Sequence, residues 1–315
     1  MSEREINRKL EELKSLAEQG KIDIADDLTR LTAKIKGDGS GAVFDAWRRV
    51  DLARHPNRPN CLSYVEMISD RFVELHGDRG FRDDPALVGG IAVIDRIPFT
   101  FIGHQKGSNM KENIKRNYGM AHPECYRKAL RLAEQAAKFK RPVFTLIDTP
   151  GAYPGVTSEE RGISEAIARN LKVFSRVKTQ VICVVIGEGG SGGALGIGVG
   201  DRVYMLENAI YSVISPEGLA SILFRDNRKA QYAASVMKLT ADDLLKLGVI
   251  DGIIPEAPGG AHEGPDTTAA NIRGRILGAY NELRRKRLPR LLQERSDKLF
   301  SIGRFSEPKK GRRRR

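Results

Sequence analysis

Residues 181–201 read VICVVIGEGGSGGALGIGVGD. An apolar, β-branched run enters a stretch with five glycines in seven positions, and small residues follow that can start a helix. The segment therefore reads as a strand over 181–186, a glycine loop over 187–194 and a short helix. Glycine at such a junction permits unusual backbone angles and close approach by another chain or a ligand. Consecutive amides at a helix start form a receptor for negative charge on oxygen. A second loop of this kind, DTPGAYPG (148–155), follows a strand expected over 142–147. Tight strand–helix packing explains one such loop equally well; two of them about 40 residues apart favour a site.

Working outward, strands are expected over 88–94 and 98–104 around the turn Asp95-Arg96-Ile97-Pro98, then a helix over 124–139 with Pro123 near its first turn. Thr157 and Glu160 read as a capping box opening the next helix. Further strands fall at 202–206, 210–214 and 249–254, with helices opened by SPEG (215–218) and by Thr240, the latter stopping at Gly248. Strands alternating with helices predict a mostly parallel, layered α/β domain. Upstream, apolar positions at helical spacing (Ile6, Leu10, Leu13 and Leu16, then Leu28, Leu31 and Ile35) predict an amphipathic arm over 3–36, ended by Gly37-Asp38-Gly39. The joint His55-Pro56-Asn57-Arg58-Pro59 leads to another helix around 62–75. The chain divides as a helical arm over 1–60, a body over 61–283 and a basic extension over 284–315.

The formal charge of +13 over 315 residues suggests nucleic acid at first sight. Residues 284–315, however, hold 14 Lys and Arg against 3 Asp and Glu, a net of +11, so the rest carries only +2. No apolar run approaches the roughly 18 residues of a membrane span, and the N-terminus MSEREINRKLEELK is too charged for a signal peptide. Cys61, Cys125 and Cys183 stand apart with no CxxC, so neither a zinc ribbon nor a disulfide frame is expected, and a reducing cytoplasm is the default.

Several short patterns compete for the glycine segments. Gly187-x-Gly189-x-x-Gly192 with Glu207 fits the dinucleotide fingerprint, but the helix that follows is short for its crossover. Gly189-x-Ser191-x-Gly193 with His262 downstream fits a nucleophile elbow, yet Gly187 and Glu188 separate the serine from the strand end. Asp148-Thr149-Pro150-Gly151 has the form of a GTPase switch motif, without any GxxxxGK[ST]. Val236-Met237-Lys238-Leu239 matches the surroundings of a biotinyl lysine, but QYAASVMKLTADD is helical in composition, so Lys238 reads as an ordinary exposed lysine.

Longer motifs settle the matter. GHQKG (103–107), PECYRKALRLAEQAAKFKRPVFTLIDTPGAYPG (123–155), residues 159–171, VIGEGGSGGALGIGVGD (185–201) and YSVISPEG (211–218) together resemble the carboxyltransferase alpha subunit of bacterial acetyl-CoA carboxylase. ARHPNRP (53–59), VGGIA (88–92) and residues 253–262 extend the likeness over roughly 45–265; the arm fits in kind, and the basic extension falls outside it. The resemblance implies a crotonase-like α/β fold, a superhelix of β-β-α turns with oxyanion-holding amides at helix starts. It implies transfer of CO2 from carboxybiotin, carried on a biotin carboxyl carrier protein, to acetyl-CoA, giving malonyl-CoA for fatty acid synthesis. It further implies a zinc-ribbon-bearing beta subunit as partner, in an assembly of two of each chain, biotin carboxylase in the larger complex, no metal on this chain and no membrane. Both halves of that reaction develop negative charge on an oxygen, at the biotin ureido group and at the thioester enolate. Biotin itself serves as base, which is why glycine rather than His or Glu marks the site.

By the same resemblance Gly192 and Gly193 supply the amides facing the ureido oxygen, with Ala194 a one-place alternative and Gly189 and Gly190 beside them. Gly151, Tyr153 and Gly155 are expected to wall the biotin pocket. Lys106, Lys111, Lys115 and Arg116 make a basic stretch, read as a solvated face. His104 and His122 read as structural, and Trp47 as core or interface. A stand-alone acyl-CoA hydratase would need a catalytic carboxylate, for which Glu188 is the candidate; a nucleic-acid-binding protein would use the tail.

Overall fold

The central strands explain the architecture. VFTLIDT and VICVVIGEGG are buried along nearly their whole length, as parallel strands covered on both faces must be. A computed structural model describes residues 40–303; the segment expected over 3–36 and residues 304–315 lie outside the described residues. The elements are α1 (Ser40–Ala53), α2 (Cys61–Ile68), β1 (Arg71–Glu74), β2 (Leu87–Ile94), β3 (Ile97–His104), α3 (Met110–Lys115), α4 (Pro123–Lys138), β4 (Val143–Thr149), α5 (Val156–Glu160), α6 (Ile163–Phe174), β5 (Val181–Gly190), α7 (Ser191–Gly198), β6 (Arg202–Leu206), β7 (Ile210–Ser212), α8 (Pro216–Leu219), α9 (Ala230–Val236), α10 (Ala241–Lys246), β8 (Gly252–Ile254), α11 (Pro265–Leu283) and α12 (Leu288–Ser301).

The sheet runs β1-β2-β3-β4-β5-β6-β8, and β7 pairs with the far end of β5. β1, β2 and β3 are antiparallel and every later pairing is parallel. Ile94 pairs with Ile97, leaving Asp95 and Arg96 at φ of 52° and 64°, the two-residue turn whose twist suits a hairpin. A Cβ on Gly89 would meet Leu132 of α4, and one on Gly103 would meet Cys61 of α2. These glycines sit on opposite faces, so α4 and α2 cover the two sides of the sheet. All three cysteines are buried free thiols. Among the described residues, no helix is long and apolar enough to cross a membrane.

Four local expectations need correction. The helix expected over 62–75 ends at Ile68, and Arg71–Glu74 is the edge strand β1; four half-exposed residues carry no period that separates them from a continuing helix. The capping box does not form: Gly155 occupies the N-cap, Thr157 lies inside α5, and Gly162 at φ 77° separates α5 from α6. The strand expected over 181–186 continues to Gly190, because its glycines gain β7 as a neighbour. Finally, the basic extension, which reads as helical at first and then solvated, is helical as expected but packed against the body over α12. Arg295 of α12 is fully buried and grips Asp201 at 2.8 and 2.7 Å, while also donating to the carbonyls of Phe174, Val177 and Thr179. Asp201 in turn accepts from the Val181 amide at 2.7 Å, so α12 anchors the start of β5. At the other end of the chain, α1 packs Ala46, Val50 and Ala53 with Ile210, Ala234 and Leu239, and Trp47 lies half-buried against this cluster.

Candidate functional site

The two glycine segments meet. A Cβ built on Gly190 would fall 2.1 Å from the Pro150 carbonyl oxygen, and one on Gly193 would fall 2.6 Å from both the Gly151 carbonyl carbon and the Ala152 nitrogen. Real side chains never come so close to backbone, so only glycine allows the start of α7 to lie against residues 150–152. Gly189 serves a different neighbour, since its Cβ would strike the Tyr211 ring at 2.8 Å. Gly192 is less confined: its Cβ would meet only the Ile167 side chain, at 3.6 Å.

The chain turns into α7 at Ser191, whose φ is 51°. Gly190 is the N-cap and no side chain caps the helix. The amides of a helix's first three residues lack an intrahelical acceptor; here those are Ser191, Gly192 and Gly193, whereas Ala194, the one-place alternative, stands four residues after the N-cap and donates to the Gly190 carbonyl that accepts the first helical bond. Neighbours hold the helix from behind. Tyr126 packs against Gly196 and donates its hydroxyl to the Gly193 carbonyl at 3.4 Å. Asn170 and Thr145 donate to the carbonyls of Gly196 and Ile197, each at 2.9 Å. The free amides thus lie over the crossing of the two segments, suited to negative charge on an oxygen.

On the opposing loop, Thr149 Oγ1 accepts from the Gly151 amide at 3.1 Å. Tyr153 turns back over Gly155, where a Cβ would sit 2.4 Å from its ring, and lies tilted against the His122 ring with centroids 4.3 Å apart. His122 pairs with Ser158 Oγ at 2.7 Å. Burial, with help from Arg161 and Arg82, lowers its pKa although Asp84 and Glu124 oppose them.

Beneath the loops runs a chain of charges. Lys106 Nζ lies 2.7 Å from Asp148 Oδ1 and 2.7 Å from Glu188 Oε2. Arg54 bridges Glu188 Oε1 and Glu217 Oε1, again at 2.7 Å each. Five of the sequence motifs, separated by up to 163 positions, are tied together in this way. Nearby, Arg58 donates to the Ile186 carbonyl at 2.7 Å and pairs with buried Glu256, which also accepts from the amides of Asn208 and Ala261. Burial works to raise the Glu188 pKa, but Lys106 and then Arg54 override it and hold the carboxyl below its ordinary range. Burial likewise works against the charged form of Lys106, and Asp148 and Glu188 raise its pKa regardless.

Sequence reasoning brought forward the two glycine segments that meet in the fold but missed this wiring. Lys106 is no solvated cation; Lys111 and Lys115 are exposed, and Arg116 donates to the Pro85 carbonyl. Neither ring nitrogen of fully buried His104 has a partner, and burial, then the nearby Lys106 charge, pulls its pKa down to about 3. Glu188 is ionised and committed to two cations, a poor hydratase acid. Ser191 makes no hydrogen bond to a histidine among the described residues, and His262 stacks on His55 at 3.7 Å. Lys238 follows α9 rather than lying on a hairpin, with Asp243 3.7 Å away. No group of three or more His, Cys, Asp or Glu among the described residues is placed to hold a metal ion.

Known proteins share both sequence and fold. The family model described as acetyl co-enzyme A carboxylase carboxyltransferase-like matches residues 2–303, so it takes in the N-terminal arm and α12, beyond the roughly 45–265 spanned by the motifs. The acetyl-coenzyme A carboxylase carboxyl transferase subunit alpha of Treponema denticola is 55% identical over 98% of this chain and 100% of that protein. The subunit of the same name from Fusobacterium nucleatum is 51% identical over 96% and 97%. Among solved structures, transcarboxylase 12S superposes with a TM-score of 0.59 at 22% identity, over 71% of this chain but only 41% of its own. The Pseudomonas malonate decarboxylase MdcD-MdcE hetero-dimer gives 0.57 at 18% identity, over 70% and 88%. At those identities the two structures bear on the fold, which is crotonase-like.

Proposed function

This chain belongs to the family of acetyl-CoA carboxylase carboxyltransferase alpha subunits, and on that premise we propose that the start of α7 is its carboxyl-transfer site, acting between carboxybiotin and acetyl-CoA. The observation that carries this reading is the uncapped amide cluster at Gly192 and Gly193, pressed against residues 150–152 with no room for a side chain at Gly193. A planar ureido group suits that cradle: it needs amide donors at one oxygen and close backbone approach, and glycines provide both. When bound, biotin supplies the carboxyl group and the base. The chain's own task is electrostatic. The Gly192 and Gly193 amides hold negative charge on an oxygen, and each such donor is worth roughly 3 kcal/mol. Gly151, Gly155 and the Tyr153 ring, fixed on His122, wall the opposite side, while Gly189 and Gly190 let the strand end approach. No acid or base side chain is required, in keeping with the commitment of Lys106, Asp148 and Glu188 to one another.

The donors for the thioester enolate belong, on this reading, to a beta subunit of the same fold, which carries the zinc ribbon; two copies of each chain form the working unit in the cytoplasm. The biotin carboxyl carrier protein delivers the carboxyl group, and biotin carboxylase loads it. The test is co-purification with a beta subunit and assay of malonyl-CoA-dependent carboxylation of biocytin. Activity should require both chains; turnover by the alpha chain alone would overturn the proposal.

A further inference from the structure

We propose that Lys106 and Asp148 are positioning residues for carboxyl transfer, setting the height at which the α7 amides meet the opposing loop; the inference rests on the reading that those amides hold the developing charge. The observation behind it is a slip in the sheet. Ile147 of β4 pairs with Val185 of β5, but the next pairing is Thr149 with Gly189. Two steps along β4 thus match four along β5, and Ile186, Gly187 and Glu188 must be accommodated opposite Asp148 alone.

Asp148 fills that step. Its Oδ1 accepts from the Glu188 amide at 2.9 Å, at the point where β4 and β5 are out of register. It also lies against Gly187 so closely that a Cβ there would be 2.5 Å from Oδ1. Lys106 closes the arrangement from β3's end, 2.7 Å from Asp148 and 2.7 Å from Glu188, with side-chain exposures of only 19%, 7% and 11% for the three residues. Without the lysine, two carboxylates would share a poorly solvated pocket and repel; without the Asp148 oxygen, a buried amide would lose its acceptor. Either change lets the slip relax. Gly190, which touches the Pro150 carbonyl, and Ser191, where α7 begins, lie directly downstream, so the slip determines where the amides point. Misplacement by about 1 Å is enough to cost about 100-fold in rate.

The test uses the complex with a beta subunit and separates kcat from KM for malonyl-CoA in biocytin carboxylation. Lys106→Met and Asp148→Ala should each lower kcat about 100-fold with KM changed less than about threefold. Asp148→Asn, which keeps an oxygen acceptor for the Glu188 amide, should stay within about tenfold of the parent. Wild-type kcat in folded Lys106→Met and Asp148→Ala would overturn the inference, as would Asp148→Asn failing as badly as Asp148→Ala. If Asp148→Ala does not co-purify with its partner, Lys106→Met and Asp148→Asn decide. Gly193→Ala in the same assay separates the two claims: full activity there defeats the α7 reading itself, whereas an inactive Gly193→Ala beside fully active Lys106 and Asp148 variants defeats only this inference.

Discussion

Adding one methyl group at Gly193 tests the site most directly. Its Cβ would lie 2.6 Å from the Gly151 carbonyl carbon, 2.6 Å from the Ala152 nitrogen and 3.0 Å from the Gly151 Cα. These are backbone atoms on a loop held by Thr149 and by the Tyr153 amide's bond to the Ala121 carbonyl, so no side chain can swing away. Restoring an ordinary contact means opening the crossing by about 0.8 Å. Overpacking of this kind costs about 1–3 kcal/mol, less than the about 5–15 kcal/mol that holds a domain folded. The Gly193→Ala protein should therefore fold and bind its partner, with Tm lowered by several degrees. Catalysis should suffer far more, because displacing an oxyanion donor costs about 100- to 1,000-fold in kcat. Gly192→Ala serves as the comparison, since its Cβ meets only Ile167 at 3.6 Å and the amide stays in place; its loss should be at least about tenfold smaller. The assay is malonyl-CoA-dependent biocytin carboxylation by the two-chain complex, alongside a thermal melt. A Gly193→Ala protein with lowered Tm and unchanged kcat would show that the crossing is packing alone, and the reasoning would fail.

Other consequences are open to simpler measurements. Arg295→Met should destabilise the fold by about 3–5 kcal/mol in urea melts, because Asp201, 3% exposed, loses its cation; a loss below about 1 kcal/mol would contradict the anchoring of β5 by α12. His104 predicts an acid limb of stability. Below pH 6.5 the unfolded chain takes up a proton that the folded ring, with its pKa near 3, refuses. Unfolding free energy should therefore fall by about 1.4 kcal/mol per pH unit on acidification between those values, and His104→Gln should flatten that slope by the same amount; parallel pH profiles would count against it. Truncation after Gly303, where the family match ends, should leave carboxyltransferase activity within about twofold; loss of activity would contradict a catalytic body independent of the basic tail, and salt-sensitive nucleic-acid affinity that vanishes with the tail would favour the binding reading.

Much of this molecule was legible before any coordinates. The buried strands, the helix opened by Pro123 and the caps at Ser215 and Thr240 follow from local chemistry, and the structure has them: Ser215 and Thr240 each accept from the amide three residues on. Local chemistry also misled. Thr157 and Glu160 have capping-box spacing, yet Gly155 takes the cap, because the loop before α5 must fold Tyr153 back over Gly155. The basic extension reads as helical at first and then solvated, and charge counts say nothing of partners; Arg295 in its helix is buried because Asp201 and three carbonyls await it.

The sequence alone determined that two glycine segments follow buried strands and that helix-start amides are the available chemistry, since both are properties of neighbouring residues. Only the tertiary structure decided that Gly190 and Gly193 lie against residues 150–152, and that Lys106 belongs to Asp148 and Glu188 rather than to solvent. The physical reason is range. Periodicity and capping act over a few residues, whereas a 2.7 Å contact between Lys106 and Glu188, 82 positions apart, exists only once the sheet has set the order and register of its strands.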